Sequence, residues 1–312
     1  MSKKIIFMGT PYFSVPILKS IYQNGYSISV VYTQPPQKSQ RGLRVSKSPV
    51  QGISETLNIE YRIPEILENN QEEYDFLKRL NADLAIVVAY GQKIPKNFLN
   101  LTKKGFINIH GSVLPKWRGA APIQRSLEAG ENLTGCTAML MEPGLDSGPI
   151  LLQKKLKILK NDDSISIHNK LSYLTADCLL HAVDKYLKGK LKPRKQNPLK
   201  ASYAKKLMKE EGSIDWKMSS FKIYDKLRAF RPFPGVYAIL NGFKLKIIDG
   251  TPLKLNHNQK EGTVLETKFK LVVACGNNTA FSILTIQKAG KNKLSYSEFL
   301  KGTKIEKGYF FE

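Results

Sequence analysis

Residues 84–89 read L-A-I-V-V-A, six apolar residues in a row of which three are β-branched. The run is too short for a buried helix and shows no polar alternation, so it predicts a central strand of a parallel sheet, covered on both faces. Parallel neighbours cannot be joined by tight turns; each needs a crossover, usually a helix. The first half of the chain supplies them. Strands are predicted at 5–8, 27–32 and 105–109, and helices at 14–24, 49–57, 72–80 and 122–129, with Pro16 tolerable in the first turn of its helix. Strands alternating with helices give an α/β fold, a doubly wound, mostly parallel Rossmann-like sheet. No G-x-G-x-x-G is present, so the dinucleotide-binding version of that fold has no support. Further strands at 136–141 and 150–159 and a long helix at 162–187 complete this half.

Beyond it the texture changes. Residues 188–198 are basic and broken by Pro193 and Pro198. A helix at 219–230 sets Phe221, Tyr224, Leu227 and Phe230 at helical spacing, as core residues are. Asn241-Gly242 between 236–240 and 243–248 is the strongest short hairpin signal. Short strands at 262–266, 270–275 and 279–287 follow, and the pattern predicts a smaller C-terminal OB-like β-barrel. The expected domains are a catalytic domain at 1–189, a basic linker at 190–205 and the barrel at 206–312.

Charge is the one extreme of the composition. Lys and Arg number 49 against 26 acids, a net +23 over 312 residues. The first 54 residues hold seven basic groups and no acid, and residues 206–312 carry +9, leaving +14 before them. A field of one sign over both parts attracts a polyanion such as nucleic acid along its whole length. Three widely spaced cysteines, Cys136, Cys178 and Cys275, make neither a disulfide framework nor a zinc pattern. No apolar run approaches the roughly 18 residues of a membrane span. The apolar start at 5–8 is too short for a signal peptide, and no Arg-rich transit segment is seen. The expectation is a reduced, cytoplasmic, bacterial-type protein that works as a monomer without a membrane partner.

Chemistry concentrates in N-I-H-G-S-V-L-P-K-W-R-G-A-A-P-I-Q at 108–124 and P-G-L-D-S-G at 143–148. Ligands of an open parallel sheet bind beyond the carboxyl ends of the strands. Asn108 and His110 stand at such an end and, two residues apart, project from one face. Asp146, between Gly144 and Gly148, sits on a loop able to return to that edge. The backbone of residues 112–115 is placed to hydrogen-bond a flat heteroaromatic ligand. An amide, an imidazole and a carboxylate without a Ser or Cys nucleophile suit stabilisation of an oxyanion during direct acyl transfer. The bland reading, a turn-capping Asn108 and a satisfied polar His110, stays open on this pattern alone. No second His or Cys stands at ligand spacing, so no metal is expected.

These two segments resemble the signature of the formyltetrahydrofolate-dependent transferase and hydrolase family. The R-G-A-A-P-I-Q half resembles the branch that formylates methionyl-tRNA. Support is spread over the chain: F-M-G-T-P-Y-F at 7–13, T-Q-P at 33–35, V-V-A-Y-G at 87–91, S-I-D-W at 213–216, A-F-R-P-F-P-G at 229–235 and Q-K-A-G-K at 287–291. The resemblance implies transfer of a formyl group from 10-formyltetrahydrofolate, without a metal, to the α-amine of methionyl initiator tRNA in translation initiation. It places the catalytic roles on Asn108, His110 and Asp146. It places folate contacts on Ser112, Val113, Leu114 and Pro115, with Ala89 and Tyr90 beside them, and a tRNA-entering basic loop on 34–49 with Lys38, Arg41, Arg44 and Lys47. Tyr12 and Pro36 stand where an acid is expected, and Val113 where Leu is commoner. Two rivals remain: a formyltransferase for amino sugar nucleotides or a formyltetrahydrofolate hydrolase, neither of which needs the basic loop, and a non-enzymatic nucleic-acid-binding module, which leaves Asn108, His110 and Asp146 without a task.

Overall fold

The computed structural model describes residues 3–39 and 44–312, and of Lys38, Ser39 and Arg44 the backbone alone. The chain forms two compact units. The first gathers Met1–Pro122, Leu133–Lys157 and His168–Ala204, and the second Ile123–Asn132, Ile158–Ile167 and Lys205–Glu312.

The first unit begins with β1 (Lys4–Gly9), α1 (Val15–Gln23) and β2 (Ser27–Tyr32). Two three-residue strands, β3 (Gln37–Ser39) and β4 (Arg44–Ser46), then pair antiparallel. Part of the expected 34–49 loop is therefore a short antiparallel backbone ladder. Next come α2 (Pro49–Thr56), β5 (Tyr61–Arg62), α3 (Gln71–Leu80), β6 (Leu84–Val88) and β7 (Phe106–His110). Helix starts follow local chemistry. The Ser48 hydroxyl caps α2 by accepting from the Gln51 N–H at 2.9 Å, with Pro49 opening the helix, and Asn70 caps α3 through the Glu73 N–H at 3.1 Å. Asn81, left-handed at φ 46°, ends α3.

After β8 (Arg118–Gly119) and α4 (Pro122–Glu128), β9 (Leu133–Leu140) and β10 (Ile150–Lys157) extend the sheet antiparallel, and α5 (Ser164–Leu187) follows. The sheet order is β10-β9-β7-β6-β1-β2-β5, with β5 to β7 all parallel. β6 is buried at every residue, as its apolar run requires. The winding reverses between β1 and β6, which makes the crevice beyond their carboxyl ends the switch point where such sheets bind ligands. Two hydroxyls tie that edge together: Thr10 Oγ1 donates to the Tyr90 carbonyl and Ser14 Oγ to that of Val88, each at 2.7 Å. Residues 190–204 belong to this unit. Arg194 exchanges both backbone hydrogen bonds with Ile150 at 2.8 Å, and β11 (Tyr203–Ala204) pairs parallel with β8. No helix among the described residues is long and apolar enough to cross a membrane.

The second unit holds α6 (Ser220–Ala229), β12 (Val236–Leu240), β13 (Phe243–Leu253), β14 (Val264–Glu266), β15 (Leu271–Cys275), β16 (Thr279–Lys288), β17 (Lys293–Ser295) and α7 (Tyr296–Lys301). The β12–β13 turn has Asn241 and Gly242 at φ 49° and 77°, the two positive angles that a two-residue hairpin demands. The strands run antiparallel in the order β12-β13-β16-β15-β14. Phe310 and Phe311 bridge the two outer ends: Phe311 opposes Leu240 beside β12 and Phe310 opposes Thr263 before β14, which closes the barrel. Phe311 is fully buried, its ring 5.8 Å from that of Trp216. The C-terminal barrel and the doubly wound sheet are both as expected.

Candidate active site

Three expected groups converge at the carboxyl end of β7. His110 is its last residue and only 7% exposed. Asn108 lies on the same strand face, and Asp146 returns from the loop after β9. The Asn108 amide nitrogen is 3.4 Å from Asp146 Oδ1, and His110 Nδ1 is 3.6 Å from Asp146 Oδ2. The second distance is an ion-pair separation and too long for a hydrogen bond.

What holds the imidazole is another group. His110 Nε2 stands 2.8 Å from the Trp117 backbone carbonyl. A carbonyl only accepts, so Nε2 carries a proton and Nδ1 is the nitrogen that faces Asp146 and is free to gain or lose one. The bond to Trp117 is what fixes the ring, because a direct hydrogen bond holds an imidazole and a 3.6 Å ion pair does not. Trp117 accepts a left-handed backbone, φ 63°, to aim its carbonyl there.

Asp146 is itself fixed from several directions. The Gly119 N–H donates to its Oδ2 at 2.8 Å. Its backbone is left-handed at φ 46°, and its carbonyl accepts from the Gln196 amide at 2.8 Å. The same amide donates to the Gly148 carbonyl at 2.8 Å, while Arg118 holds Gln196 Oε1 through Nη2 at 2.7 Å. A Cβ on Gly148 would stand 1.8 Å from the Leu140 carbonyl oxygen, so only glycine lets the loop fold back this tightly. Gln196, Gly119 and Trp117 were missed from sequence. The R-G of 118–119 was visible as a motif without a role, and Gln196 gave no signal inside a stretch that reads as a linker.

The expected folate loop is less open than its sequence suggests. Leu114 is 2% exposed; its N–H donates to Thr137 Oγ1 at 3.1 Å and its carbonyl accepts from the Gln153 amide at 2.8 Å. The Ser112 carbonyl accepts from Thr137 at 2.7 Å and its hydroxyl donates to Lys116 O at 2.6 Å. The groups expected to meet a ligand are thus largely spent on the protein, while Val113 and Pro115 remain half-buried. Ala89 is exposed and left-handed at φ 46°. Tyr90 is buried, its hydroxyl without a partner, and desolvation pushes its phenol far above the ordinary range. A cavity of about 260 Å³ opens on Phe106, Leu140, Met141 and Pro143. It lies at the amino end of β7, lined also by Lys96, Lys104 and Glu142, and none of Asn108, His110 and Asp146 lines it.

Of the expected tRNA contacts, Arg41 lies outside the described residues, and Lys38 and Arg44 are placed by backbone on β3 and β4. Lys47 pairs with Glu55 at 2.9 Å on the surface, which holds the ammonium above and the carboxyl below their ordinary ranges. Among the described residues, no three His, Cys, Asp or Glu side chains gather as metal ligands.

Comparison with known proteins bears on the whole chain. Residues 3–183 match the formyl transferase family model, and residues 206–304 that of the formyl transferase C-terminal domain. A protein of Pelagibacter ubique named methionyl-tRNA formyltransferase is 46% identical over 99% of this chain and 98% of its own length. A protein of the same name from Caldanaerobacter subterraneus is 41% identical over 98% of each. Among solved structures, an N-formyltransferase from Helicobacter canadensis, in complex with folinic acid and dTDP-3-aminofucose, aligns with a TM-score of 0.69 at 20% identity, covering 91% of this chain and 99% of that one. HypX from Aquifex aeolicus, in complex with tetrahydrofolic acid, aligns over all of this chain and 51% of its own at a TM-score of 0.65 and 18% identity.

Proposed function

The chain belongs to the formyl transferase family and is an enzyme of formyl transfer, and from that premise we propose that it moves the formyl group of 10-formyltetrahydrofolate to the α-amine of methionine esterified to initiator tRNA. The observation that carries this reading is the convergence of Asn108, His110 and Asp146 on one strand end, with no Ser or Cys nucleophile among them, in a chain that matches proteins of that name from end to end.

In this mechanism the neutral amine attacks the formyl carbon directly. An α-amine of pKa about 7.7–8.0 is partly neutral at pH 7 and needs little help from a base. The carbonyl oxygen becomes an oxyanion, which the Asn108 amide meets as a hydrogen-bond donor. His110 adds positive charge when Nδ1 is protonated, and Asp146 stabilises that imidazolium. The amine must lose a proton and N10 of the folate must gain one as the C–N10 bond breaks. Nδ1 is the nitrogen able to carry it, because Trp117 keeps Nε2 occupied.

We assign the flat ring system of the donor to the crevice beyond the carboxyl ends of β6 and β7, with Ala89, Tyr90, Ser112, Val113, Leu114 and Pro115 as its wall. Lys38, Arg41, Arg44 and Lys47 receive the acceptor stem, and the positive charge of the second unit attracts the tRNA. The enzyme acts as a cytoplasmic monomer. The test is an assay of purified protein with 10-formyltetrahydrofolate and methionyl-tRNA, free methionine or an amino sugar nucleotide. Formylation of methionyl-tRNA alone is expected; preference for the sugar nucleotide would overturn the reading.

A further inference from the structure

We propose that the ring of Tyr12 is the platform on which the 3′-terminal base of the acceptor tRNA stacks, a specificity contact that rests on the function proposed above. Tyr12 opens the short helical turn that follows β1 and is 77% exposed, the most exposed aromatic side chain among the described residues. A lone exposed aromatic is ordinary. This one lines a cavity of about 400 Å³ together with Thr10, Gln34, Gln37, Ser46 and Lys47, at the carboxyl ends of β1 and β2.

The polar groups there suit the edge of a base. Thr10 is spent, donating to the Tyr90 carbonyl and accepting from the Gln34 backbone N–H. The two glutamines are bonded once to each other, Gln37 Nε2 to Gln34 Oε1 at 3.1 Å. That bond leaves the Gln37 carbonyl oxygen as an acceptor and the Gln34 amide nitrogen as a donor. An aromatic face beside paired amide groups is how proteins read an unstacked base: the ring accepts its π-face, the amides its hydrogen-bonding edge. The space beside the ring is hollow where a purely structural tyrosine would be packed.

Position supplies the second argument. β1 and β7 are separated only by β6, so their ends lie about 10 Å apart at the usual strand spacing. From the base of a 3′-terminal nucleoside, through ribose and ester, to the α-amine is also on the order of 10 Å by ordinary bond lengths. A base seated on Tyr12 therefore delivers the amine to Asn108 and His110. A free amino acid lacks the base and so lacks the contact.

The experiment compares the full-length wild type with Tyr12→Ala and Tyr12→Phe. Tyr12→Ala is expected to raise KM for methionyl-tRNA about tenfold, the scale of one base–aromatic stack, leaving kcat and the KM for 10-formyltetrahydrofolate unchanged. Tyr12→Phe, which keeps the ring, should stay near wild type. The wild-type preference for methionyladenosine over methionine methyl ester should largely vanish in Tyr12→Ala. A second measurement needs no catalysis: uncharged tRNA carrying 2-aminopurine at its 3′ end should fluoresce less when bound to wild type than to Tyr12→Ala. Unchanged KM in Tyr12→Ala, equal losses with both esters, or equal fluorescence overturns the proposal. A wild type that leaves methionyl-tRNA unformylated while quenching the probe would defeat the function proposed above and leave the stacking contact standing.

Discussion

Two segments that leave the same sheet are built on opposite principles. The loop carrying Asp146 is fixed by partners from far along the chain: Gly119 on the carboxylate, Gln196 on the carbonyl, Arg118 behind Gln196, and a glycine at 148 pressed to the backbone of Leu140. The β3–β4 ladder has two three-residue strands, an exposed Val45 and a Lys47 paired with a surface glutamate. The contrast fits the tasks proposed for them. Oxyanion stabilisation needs donors preorganised where charge develops. Attraction of a polyanion works through summed charge and tolerates imprecise placement.

The contrast is sharpened by substitutions in descending order of expected effect. Asn108→Ala and His110→Ala should each lower turnover by at least about two orders of magnitude, the usual scale for a lost oxyanion donor. Steady-state assay at saturating substrates checks this, and near-normal turnover in Asn108→Ala would remove it from the mechanism. Gln196→Leu should lower kcat about tenfold, the scale of a hydrogen bond lost from a partly buried group, with KM for both substrates nearly unchanged. A matching fall in melting temperature without that kcat-selective loss would make Gln196 a fold residue only.

Arg41→Ala or Arg44→Ala should raise KM for methionyl-tRNA several-fold, as loss of a phosphate contact does, and leave any slow hydrolysis of formyltetrahydrofolate unchanged. Equal losses in the two assays would tie the ladder to the folate site instead. The smallest effect belongs to Lys47→Ala, within about twofold, because an exposed pair with Glu55 already engages the ammonium. A large rise in its KM for tRNA would show that the pair opens on binding.

Legibility in the sequence followed the range of the forces involved. The apolar run of β6, the Asn241-Gly242 turn and the helices at 49–57 and 72–80 were readable because each is decided within a few residues. Asn108, His110 and Asp146 stood out by type and spacing but took their roles from the family resemblance, and the structure brings them together. The orientation of His110 was not, since a backbone carbonyl has no residue code and Trp117 adopts an angle unusual for its type. Nor was the pinning of residues 190–204: β8 and β11 are two residues each, too short for any period, and Gln196 finds its partners 48 to 78 positions away. The closing contacts of Phe310 and Phe311 escaped for the same reason.

That distance between Gln196 and Asp146 has a consequence in time. A ribosome makes the chain from residue 1 upward, so Asn108, His110 and Asp146 are all present on the nascent polypeptide while the residue that clamps the Asp146 loop has still to be added. For that interval of 50 residues Asp146 lacks its bond from Gln196. The clamp closes only once the stretch around residue 196 has been made and reaches back to the loop.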